Sequence, residues 1–456
     1  MLLIGRPYFG VGRVLAGAFF SYVVLAGSSA HALPSYARQT GQGCPACHTN
    51  FPELTQFGRE FKLRGYTMGG GDSPFPVAGM AQGAFTNTQK SQPGGAAPHF
   101  GPNDNFSLEA ASLFYGGKIV DDIGAFVQTT YSDTERTLAW DDVDIRYANS
   151  TTIGDRDLVY GLTLNNNPTV EDIYNSTPAF GFPYVSASLA PTPAAATVLE
   201  GGLAHQVGGV GAYAMFDDTY YGLVSLYKTL PKHAQRHFGV DPTGEPEIDG
   251  VAPYWRFAVQ QQWQDHLLSA GTFGLFADTF PGRKRRAGTD SFVDIGLDAQ
   301  YQFTRDPNVV TAQASWIHES QFLPASQALG LSEHRSNDLD SVKLTGSYVY
   351  SHGDANYGLT ASRFWLNGST DAGLYGQEDV TGSANGSPDS RGWIFELDYM
   401  PFINRSPIKV WPWTQIKLSL QYTLYDKFNG ASRNYDGAGR DASDNNTLML
   451  SAWLAF

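Results

Sequence analysis

Hydrophobic and polar residues alternate one by one along much of the chain. Between Gln415 and Tyr425, apolar side chains occupy every second position and polar side chains the positions between them. The segments Val293 to Phe303 and Ser341 to Tyr350 follow the same pattern. Because successive side chains of a strand point to opposite faces, a period of two predicts strands with one apolar face. Segments of about ten such residues separated by turns are typical of transmembrane β-barrels.

Sixteen segments of this kind predict an all-β fold, a porin-like transmembrane β-barrel of sixteen antiparallel strands. They span residues 77–88, 105–118, 120–131, 137–148, 153–165, 203–216, 219–229, 252–263, 266–279, 291–304, 307–320, 336–350, 355–367, 391–401, 413–426 and 444–456.

The connections between these segments alternate between short turns and long loops. The long ones include 166–202, 230–251, 321–335, 368–390 and 427–443. Bacterial barrels have short periplasmic turns, long outer loops and an even number of strands. Since the long loops follow odd-numbered strands, both ends of the barrel are expected on the periplasmic side.

The last segment carries Leu448, Leu450, Ala452, Leu454 and the terminal Phe456 on one face. This ending resembles the C-terminal targeting signal of outer-membrane barrels. The alternative is an ordinary last strand of a soluble β-sandwich, which the sixteen segments and a predicted export signal disfavour.

Composition is consistent with a barrel and argues against other classes. The 456 residues include 50 Gly, and only 16% of them are charged. The 44 acidic residues outnumber 30 Lys and Arg, giving a formal net charge of −14. This balance argues against a nucleic-acid partner, because neutralising phosphates requires clustered Lys and Arg.

The first 32 residues have the pattern of a secretory signal peptide. Arg6 and Arg13 lead into an apolar run from Val14 to Gly27, and small residues at Ala30 and Ala32 precede the expected cleavage site. The alternative is a membrane anchor, but the run is shorter than the roughly 20 residues that span a bilayer. Loss of two arginines changes the formal charge from −14 to −16 in the mature chain.

Both cysteines lie in the pentapeptide Cys44-Pro45-Ala46-Cys47-His48, the attachment motif of c-type haem. Two thiols at this spacing can form thioethers with one haem, and the adjacent His48 can ligate its iron. A zinc site would need a second pair of ligands, and a redox dithiol would need a thioredoxin-like context. We therefore predict one covalently attached haem c held by Cys44, Cys47 and His48.

A short helix is predicted just after this motif, capped by Thr49 or Asn50 and ending at Gly65. Residues 33–76 then form a small α-helical haem segment, and residues 77–456 form the barrel. Because a segment of about 40 residues is too small to fold without help, we expect it inside the barrel or at its mouth.

The second axial ligand of the haem iron is predicted to be Met68, which follows His48 by 20 residues. Met80 and His99 are the alternatives, and a five-coordinate iron is a third. A His and Met pair would raise the reduction potential.

Several charged side chains are expected to point into the lumen. Asp294, Asp298, Glu396 and Asp398 are the candidate cation contacts, since lumen carboxylates concentrate cations and supply oxygen ligands. The alternative is a porin lining of mixed charge without a metal site. The inward-facing set also contains Asp142, Asp144, Arg146, Arg256, Lys343 and Lys417.

Two predicted outer loops stand out. The proline-rich loop 166–202 is expected either to fold into the pore or to lie over it. The basic run Arg283 to Arg286 either meets anionic outer-membrane lipid or is simply solvated.

The region around the haem motif carries a more specific resemblance. Leu33-Pro34-Ser35-Tyr36-Ala37-Arg38-Gln39-Thr40-Gly41 precedes the motif, and Phe51-Pro52-Glu53-Leu54-Thr55, Phe57-Gly58-Arg59 and Phe61-Lys62-Leu63 follow it. This region resembles the N-terminal region of the fused outer-membrane monohaem cytochrome c–porins, the family of iron-oxidising outer-membrane cytochromes.

The resemblance implies a function in electron transfer. Extracellular Fe(II) would be oxidised at the cell surface, which avoids importing insoluble ferric iron, and electrons would pass through the haem to a periplasmic cytochrome or copper protein. No residue identifies iron as the donor. A substrate-specific porin whose haem plugs, senses or gates the pore is the alternative, and an electron conduit working outward is a third.

Overall fold

The computed structural model describes residues 34–69, 76–404 and 415–456. The predicted signal peptide lies outside these residues, as do Gly70 and Gly71 of the linker and the first two residues of the predicted strand 413–426.

Seventeen strands occur in the described part of the chain. They are β1 (Val77–Thr88), β2 (Asn105–Val120), β3 (Ile123–Ser132), β4 (Thr137–Ile153), β5 (Arg156–Asn165), β6 (Val207–Phe216), β7 (Tyr220–Thr229), β8 (Glu247–Ile248), β9 (Ala252–Trp263), β10 (His266–Phe280), β11 (Asp290–Arg305), β12 (Asn308–Phe322), β13 (Ser336–His352), β14 (Ala355–Gly368), β15 (Ser390–Met400), β16 (Gln415–Lys427) and β17 (Thr447–Ala455).

The sixteen long strands form one closed antiparallel barrel, which confirms the predicted fold class. Each pairs with its neighbours in chain order, and β7 pairs directly with β9. The barrel closes where β1 pairs with β17, with Phe85 opposite Leu450. The two-residue strand β8 adds only a short pairing at the end of β10.

The barrel has an apolar exterior and a polar interior. Outward-facing side chains such as Leu162, Leu164 and Leu397 are more than half exposed, although they are large and apolar. Their neighbours along the same strands, such as Thr163 and Asp398, are buried. A closed sheet with this alternation satisfies its backbone hydrogen bonds internally and presents hydrocarbon outward, as a lipid bilayer requires.

The two ends of the barrel differ in the length of their connections. At one end, called here the short-turn end, turns of two or three residues join β2 to β3, β4 to β5, β6 to β7, β9 to β10, β11 to β12 and β13 to β14. The chain enters β1 and leaves β17 at this end. The opposite, long-loop end carries the connection 166–206, the longest in the barrel, and the basic run, in which Arg285 pairs with Glu247 at 2.7 Å.

Among the described residues, five short α-helices accompany the barrel: α1 (Pro34–Thr40), α2 (Cys44–Cys47), α3 (Gln56–Leu63), α4 (Lys232–His237) and α5 (Pro324–Ala328). None of the helices in the described ranges is long and apolar enough to cross a membrane.

The helix after the haem motif begins later than predicted. Its cap is Thr55, whose hydroxyl accepts a hydrogen bond from the Gly58 amide at 3.1 Å, and not Thr49 or Asn50. Residues 49–54 form a turn instead, in which the Thr49 amide donates to the Glu53 carbonyl at 3.3 Å. Because residues 49–54 form this turn, the helix begins only at Gln56.

Candidate cofactor site in the barrel lumen

The N-terminal segment 34–69 lies inside the barrel. The Tyr36 hydroxyl donates to the Ala125 carbonyl in β3 at 3.0 Å, and the Tyr213 hydroxyl of β6 donates to the Leu63 carbonyl at 2.8 Å. On other sides of the wall, the Ser347 hydroxyl of β13 donates to Glu53 at 2.6 Å, and the amide of Asn50 donates to Asp398 in β15 at 3.0 Å. Contacts with four separated strands mean that the segment fills the lumen.

The Cys-x-x-Cys-His motif forms α2 and the residue after it. The His48 amide donates to the Cys44 carbonyl at 3.0 Å, which keeps both cysteines and the histidine on a single turn of chain. The imidazole Nδ1 lies 3.2 Å from the Glu53 carbonyl oxygen, so Nε2 is the nitrogen left for a metal. Histidine ligands commonly donate their other ring N–H to a backbone carbonyl in this way. Burial lowers the pKa of His48 to about 4, so the imidazole is neutral, as a ligand must be.

A large apolar cavity borders this motif at the short-turn end of the barrel. Its empty volume, counted to its open mouth, is about 1170 Å³. Cys47 and His48 line one side of it, and Met80 lines the barrel wall. Aromatic rings form most of the remaining lining: Tyr36, Phe51, Phe61, Tyr66, Phe114, Phe126, Phe180, Tyr184 and Trp453. The cavity has the apolar lining of a cofactor pocket.

Two polar groups at this cavity fit a cofactor that carries carboxylates. The indole Nε1 of Trp453 is buried and has no hydrogen-bond partner among the described residues. The ammonium of Lys62 donates to Asn175 Oδ1 at 2.9 Å, but it forms no ion pair within the described part of the chain. Burial lowers the pKa of Lys62 to about 8. A haem, with an apolar ring and two propionates, would satisfy the apolar lining and both donors.

The cysteines differ in their position relative to the cavity. Cys47 lines it, whereas Cys44 is buried beside Ala37, Met400 and Ile403. Cys47 and His48 could therefore contact a cofactor in the cavity, whereas Cys44 lies one helical turn earlier in α2 and outside the lining.

Of the candidate second ligands, only Met80 lies at the cavity. Met80 is buried in β1 and shares the cavity with His48. Met68 does not line it, and its carbonyl accepts a hydrogen bond from Gln39 at 2.9 Å. His99 is exposed in the loop between β1 and β2 at the long-loop end. The fold therefore places Met80, and not Met68, in the lining of the cavity that His48 borders.

The connection 166–206 folds into the pore, which decides between the two expected positions of this loop. The Glu171 carbonyl accepts from Arg146 at 2.6 Å, and Asp172 pairs with Arg256 at 3.3 Å. The Asn175 amide group donates to the Pro52 carbonyl at 2.9 Å. The loop thus packs directly on the N-terminal segment, and together they fill the lumen.

The four carboxylates expected to contact cations all lie inside the barrel, each with protein partners. Arg256 binds Asp298 through two hydrogen bonds of 2.6 and 2.8 Å. Lys417 lies 3.0 Å from Glu396 and 3.2 Å from Asp398. Asp294 accepts from the Leu199 amide at 2.9 Å. These groups hold the loop and wall together, and a cation contact at them stays a prediction.

A different cluster, which the sequence did not reveal, combines Asp141, Asp142 and His205. The His205 Nε2 lies 3.2 Å from Asp141 Oδ1 and 3.5 Å from Asp142 Oδ1. Burial opposes a charge on His205, but the hydrogen bonds to both carboxylates outweigh it and raise the pKa of His205 to about 10. As a bare cluster it is therefore an ion pair. Only the adjacency of the two aspartates was visible in the sequence, since the fold alone brings His205 to them.

A second group of potential ligands, Glu333, His334 and Asp371, lies at the long-loop end. Asp371 accepts hydrogen bonds from the amides of Glu333 and His334, both at 2.9 Å, and from other loop donors. These bonds hold the pKa of Asp371 well below its usual range despite the opposing effect of burial. Its carboxylate is therefore engaged in fixing the loop.

Comparison with known proteins adds little to this description. No protein-family model matches the chain, and no curated protein sequence matches it. Among solved structures, it is similar to OprB of Pseudomonas putida, with a TM-score of 0.48 and 12% identity over 83% of this chain and 93% of that chain. It is also similar to the outer membrane channel DcaP of Acinetobacter baumannii (TM-score 0.43, 12% identity, 83% and 96% coverage). An anion-selective porin from Comamonas acidovorans gives a TM-score of 0.41 at 10% identity, with 83% and 98% coverage. All three TM-scores are below 0.5, and the assignment as a porin-like barrel rests on the strand pairing itself.

Proposed function

We propose that this chain is an outer-membrane cytochrome that carries one covalent haem c inside a plugged barrel. It oxidises an extracellular donor, for which Fe(II) is the leading candidate, and delivers electrons to a soluble periplasmic cytochrome or copper protein. The short-turn end faces the periplasm and the long loops face outward, as in bacterial barrels generally.

One observation carries this proposal: the Cys-x-x-Cys-His motif lies in the lumen beside a large apolar cavity. Cys47 and His48 border that cavity, and a buried methionine lies in its wall. A dithiol without a cofactor would not need this space, and a zinc site would not need an apolar one. A haem supplies a one-electron redox couple when it is bound in such a setting.

The chain's own residues contribute three things. Cys44 and Cys47 provide the thioether attachment, and His48, oriented by the Glu53 carbonyl, provides an axial ligand. The aromatic lining excludes water, which stabilises a macrocycle and limits side reactions. Lys62 and Trp453 provide donors for carboxylates.

The location of the site supports transfer across the membrane. The segment lies within the barrel at the short-turn end, while the loop 166–206 extends from the long-loop end down to it. Oxidation of one Fe(II) to Fe(III) releases one electron, which the periplasmic acceptor finally takes. Insoluble ferric iron then stays outside the cell.

Two measurements on the purified protein test the proposal. Haem should remain attached through a denaturing gel and be lost in the double variant Cys44→Ala/Cys47→Ala. Anaerobic Fe(II) should then produce the reduced haem spectrum in the wild-type protein. Reduction by dithionite but not by Fe(II) would contradict iron oxidation and leave the cytochrome assignment intact.

The second candidate is a substrate-specific porin in which the haem plugs, senses or gates the pore. The porin-like barrel favours it. Conductance in planar bilayers discriminates between the two candidates: an electron-transfer protein whose lumen is filled should stay closed, whereas a gated porin should open for its substrate.

A further inference from the structure

Between the long-loop end and the cofactor cavity lies a second, polar cavity. Its empty volume, which includes open solvent at its mouth, is about 1100 Å³, and Asp141, Asp142 and His205 are among the residues that line it. Met80 and Tyr184 line both cavities, so the two share a wall. Asp141 and Asp142 lie near the beginning of β4, which starts at the long-loop end, and His205 lies two residues before β6 at the same end. The polar cavity is thus on the outer side of the apolar one.

We propose that Asp141, Asp142 and His205 bind a divalent transition-metal cation, and that this is where Fe(II) rests before it is oxidised. The inference deepens the proposed function and rests on it, because it assigns the donor's binding site.

The donor set has the chemistry and spacing of a metal site. One imidazole nitrogen and two carboxylate oxygens lie within 4.8 Å of one another. The distances of 3.2 and 3.5 Å from His205 Nε2 to the two aspartates approach the roughly 3 Å between neighbouring ligands of an ion with bonds of about 2.1 Å. Imidazole with carboxylate is a ligand combination suited to Fe(II). Because a ligating imidazole is neutral, binding of the cation would release the proton that His205 shares with the two aspartates to the solvent. Three protein ligands leave positions for water, which lets a substrate ion exchange.

The surroundings of the cluster favour a cation. The lining of the polar cavity includes two more carboxylates, Glu109 and Glu200, and no Lys or Arg among the described residues. These four carboxylates outnumber the single histidine, and a lining of net negative charge raises the local concentration of cations. The Thr130 hydroxyl donates to Asp141 at 2.7 Å and the Asn167 amide to Asp142 at 2.8 Å, so both carboxylates are already oriented.

The position of Tyr184 connects the cluster with the cofactor cavity. Tyr184 lines the polar cavity together with Asp141, Asp142 and His205, and it also lines the apolar cavity. A cation at the cluster would be separated from the cofactor cavity by this shared wall.

The test is a titration with Mn(II), followed by electron paramagnetic resonance, on the haem-loaded protein in detergent. The free-ion signal of Mn(II) disappears on binding, and Mn(II) does not reduce haem. Wild type should bind one equivalent, and His205→Gln and the isosteric Asp142→Asn should each weaken binding about tenfold or more. The control His334→Gln, in the exposed second group, should bind as wild type does. Retention of the heat-resistant barrel form on a gel shows that each variant is folded.

Unchanged Mn(II) binding in folded His205→Gln and Asp142→Asn would overturn the inference. A second readout separates it from the proposed function. In both variants, haem reduction by Fe(II) should require about tenfold more Fe(II), while reduction by dithionite stays the same. If Fe(II) fails to reduce haem even in wild type, the proposed function fails, and the Mn(II) titration still decides whether the cation site exists.

Discussion

Gly124 of the barrel wall lies directly against the carbonyl oxygen of Gly65 in the N-terminal segment. A β-carbon on Gly124 would lie 2.2 Å from that oxygen and 3.1 Å from Tyr66. The wall therefore approaches the segment backbone as closely as only glycine permits. Next to this contact, the Tyr66 hydroxyl donates to the Asp144 carboxylate at 2.6 Å, so steric fit and a buried hydrogen bond both fix the end of the segment.

The variant Gly124→Ala should partly displace the N-terminal segment from the wall. The atom nearest to the new methyl group is the backbone carbonyl oxygen of Gly65, which cannot move aside. Docking of the segment should therefore be destabilised by about 1–3 kcal/mol. Limited trypsin digestion should then cut the segment at Arg59, Lys62 or Arg64 faster than in wild type.

The matched control is Gly346→Ala in β13, where a β-carbon has no neighbouring atom within 4 Å. Its digestion rate should equal that of wild type. Equal rates for all three proteins would contradict the close docking of Gly65 on the wall.

The barrel could be predicted from sequence far better than its contents. Alternation is local, because each wall residue faces either lipid or lumen, and the predicted segment 77–88 coincides with β1. The helix cap was missed because Thr49, Asn50 and Thr55 are all capable caps and docking of the turn in the lumen decides among them.

The site posed a harder problem for sequence reasoning. Proximity to His48 in the chain favours Met68, whereas the closed barrel brings the alternative, Met80 of β1, to the cavity that His48 lines. The identity of the second ligand stays a prediction. His205 and Asp141 are likewise distant in sequence and meet only because a loop returns into the pore. Contacts that depend on the path of a loop produce no periodic pattern in the sequence.

Replacement of Met80 tests which residue completes the haem coordination. Met80→Leu preserves volume and removes the sulfur, so it should lower the reduction potential and abolish the spectral features of methionine ligation, since His/Met ligation raises the potential. Met68→Leu should leave the spectrum and the potential unchanged. The opposite result, with Met68→Leu altering the spectrum and Met80→Leu having no effect, would identify Met68 as the ligand.

Docking of the loop 166–206 in the pore should depend on pH through the carboxyl group of Glu171. Burial, with a further contribution from the charge of Asp144, raises the pKa of this carboxyl to about 7, and hydrogen bonding from Tyr227 only partly offsets it. Its Oε2 is buried without a partner, as a protonated carboxyl would allow. Between pH 4.5 and about 7 the docked loop holds a proton that the free loop has lost, so docking weakens as pH rises through this window.

Above pH 7 the free energy of docking is weaker than at pH 4.5 by about 3 kcal/mol. Hydrogen exchange of residues 166–206 should therefore be slower at pH 5 than at pH 8 after correction for the intrinsic rate. Glu171→Gln should remove this dependence, whereas Glu378→Gln, on an exposed loop, should keep it. A dependence that persists in Glu171→Gln would assign it to another group.

Lys62 provides the sharpest electrostatic test of the cofactor site. The buried Lys62 ammonium donates to Asn175 Oδ1 at 2.9 Å and forms no ion pair within the described part of the chain. A haem propionate is the anion that the proposed function supplies. Lys62→Met should lower the reduction potential, because loss of a nearby positive charge disfavours addition of an electron, and Lys62→Arg should largely preserve it.

Arg64→Gln is the control. It removes a charge from the same segment at a half-exposed position paired with Glu60, where solvent screens the charge, so its effect on the potential should be small. Potentiometric titration of the four proteins measures this directly. Equal shifts in Lys62→Met and Arg64→Gln would show that only net charge matters and that Lys62 does not contact the cofactor.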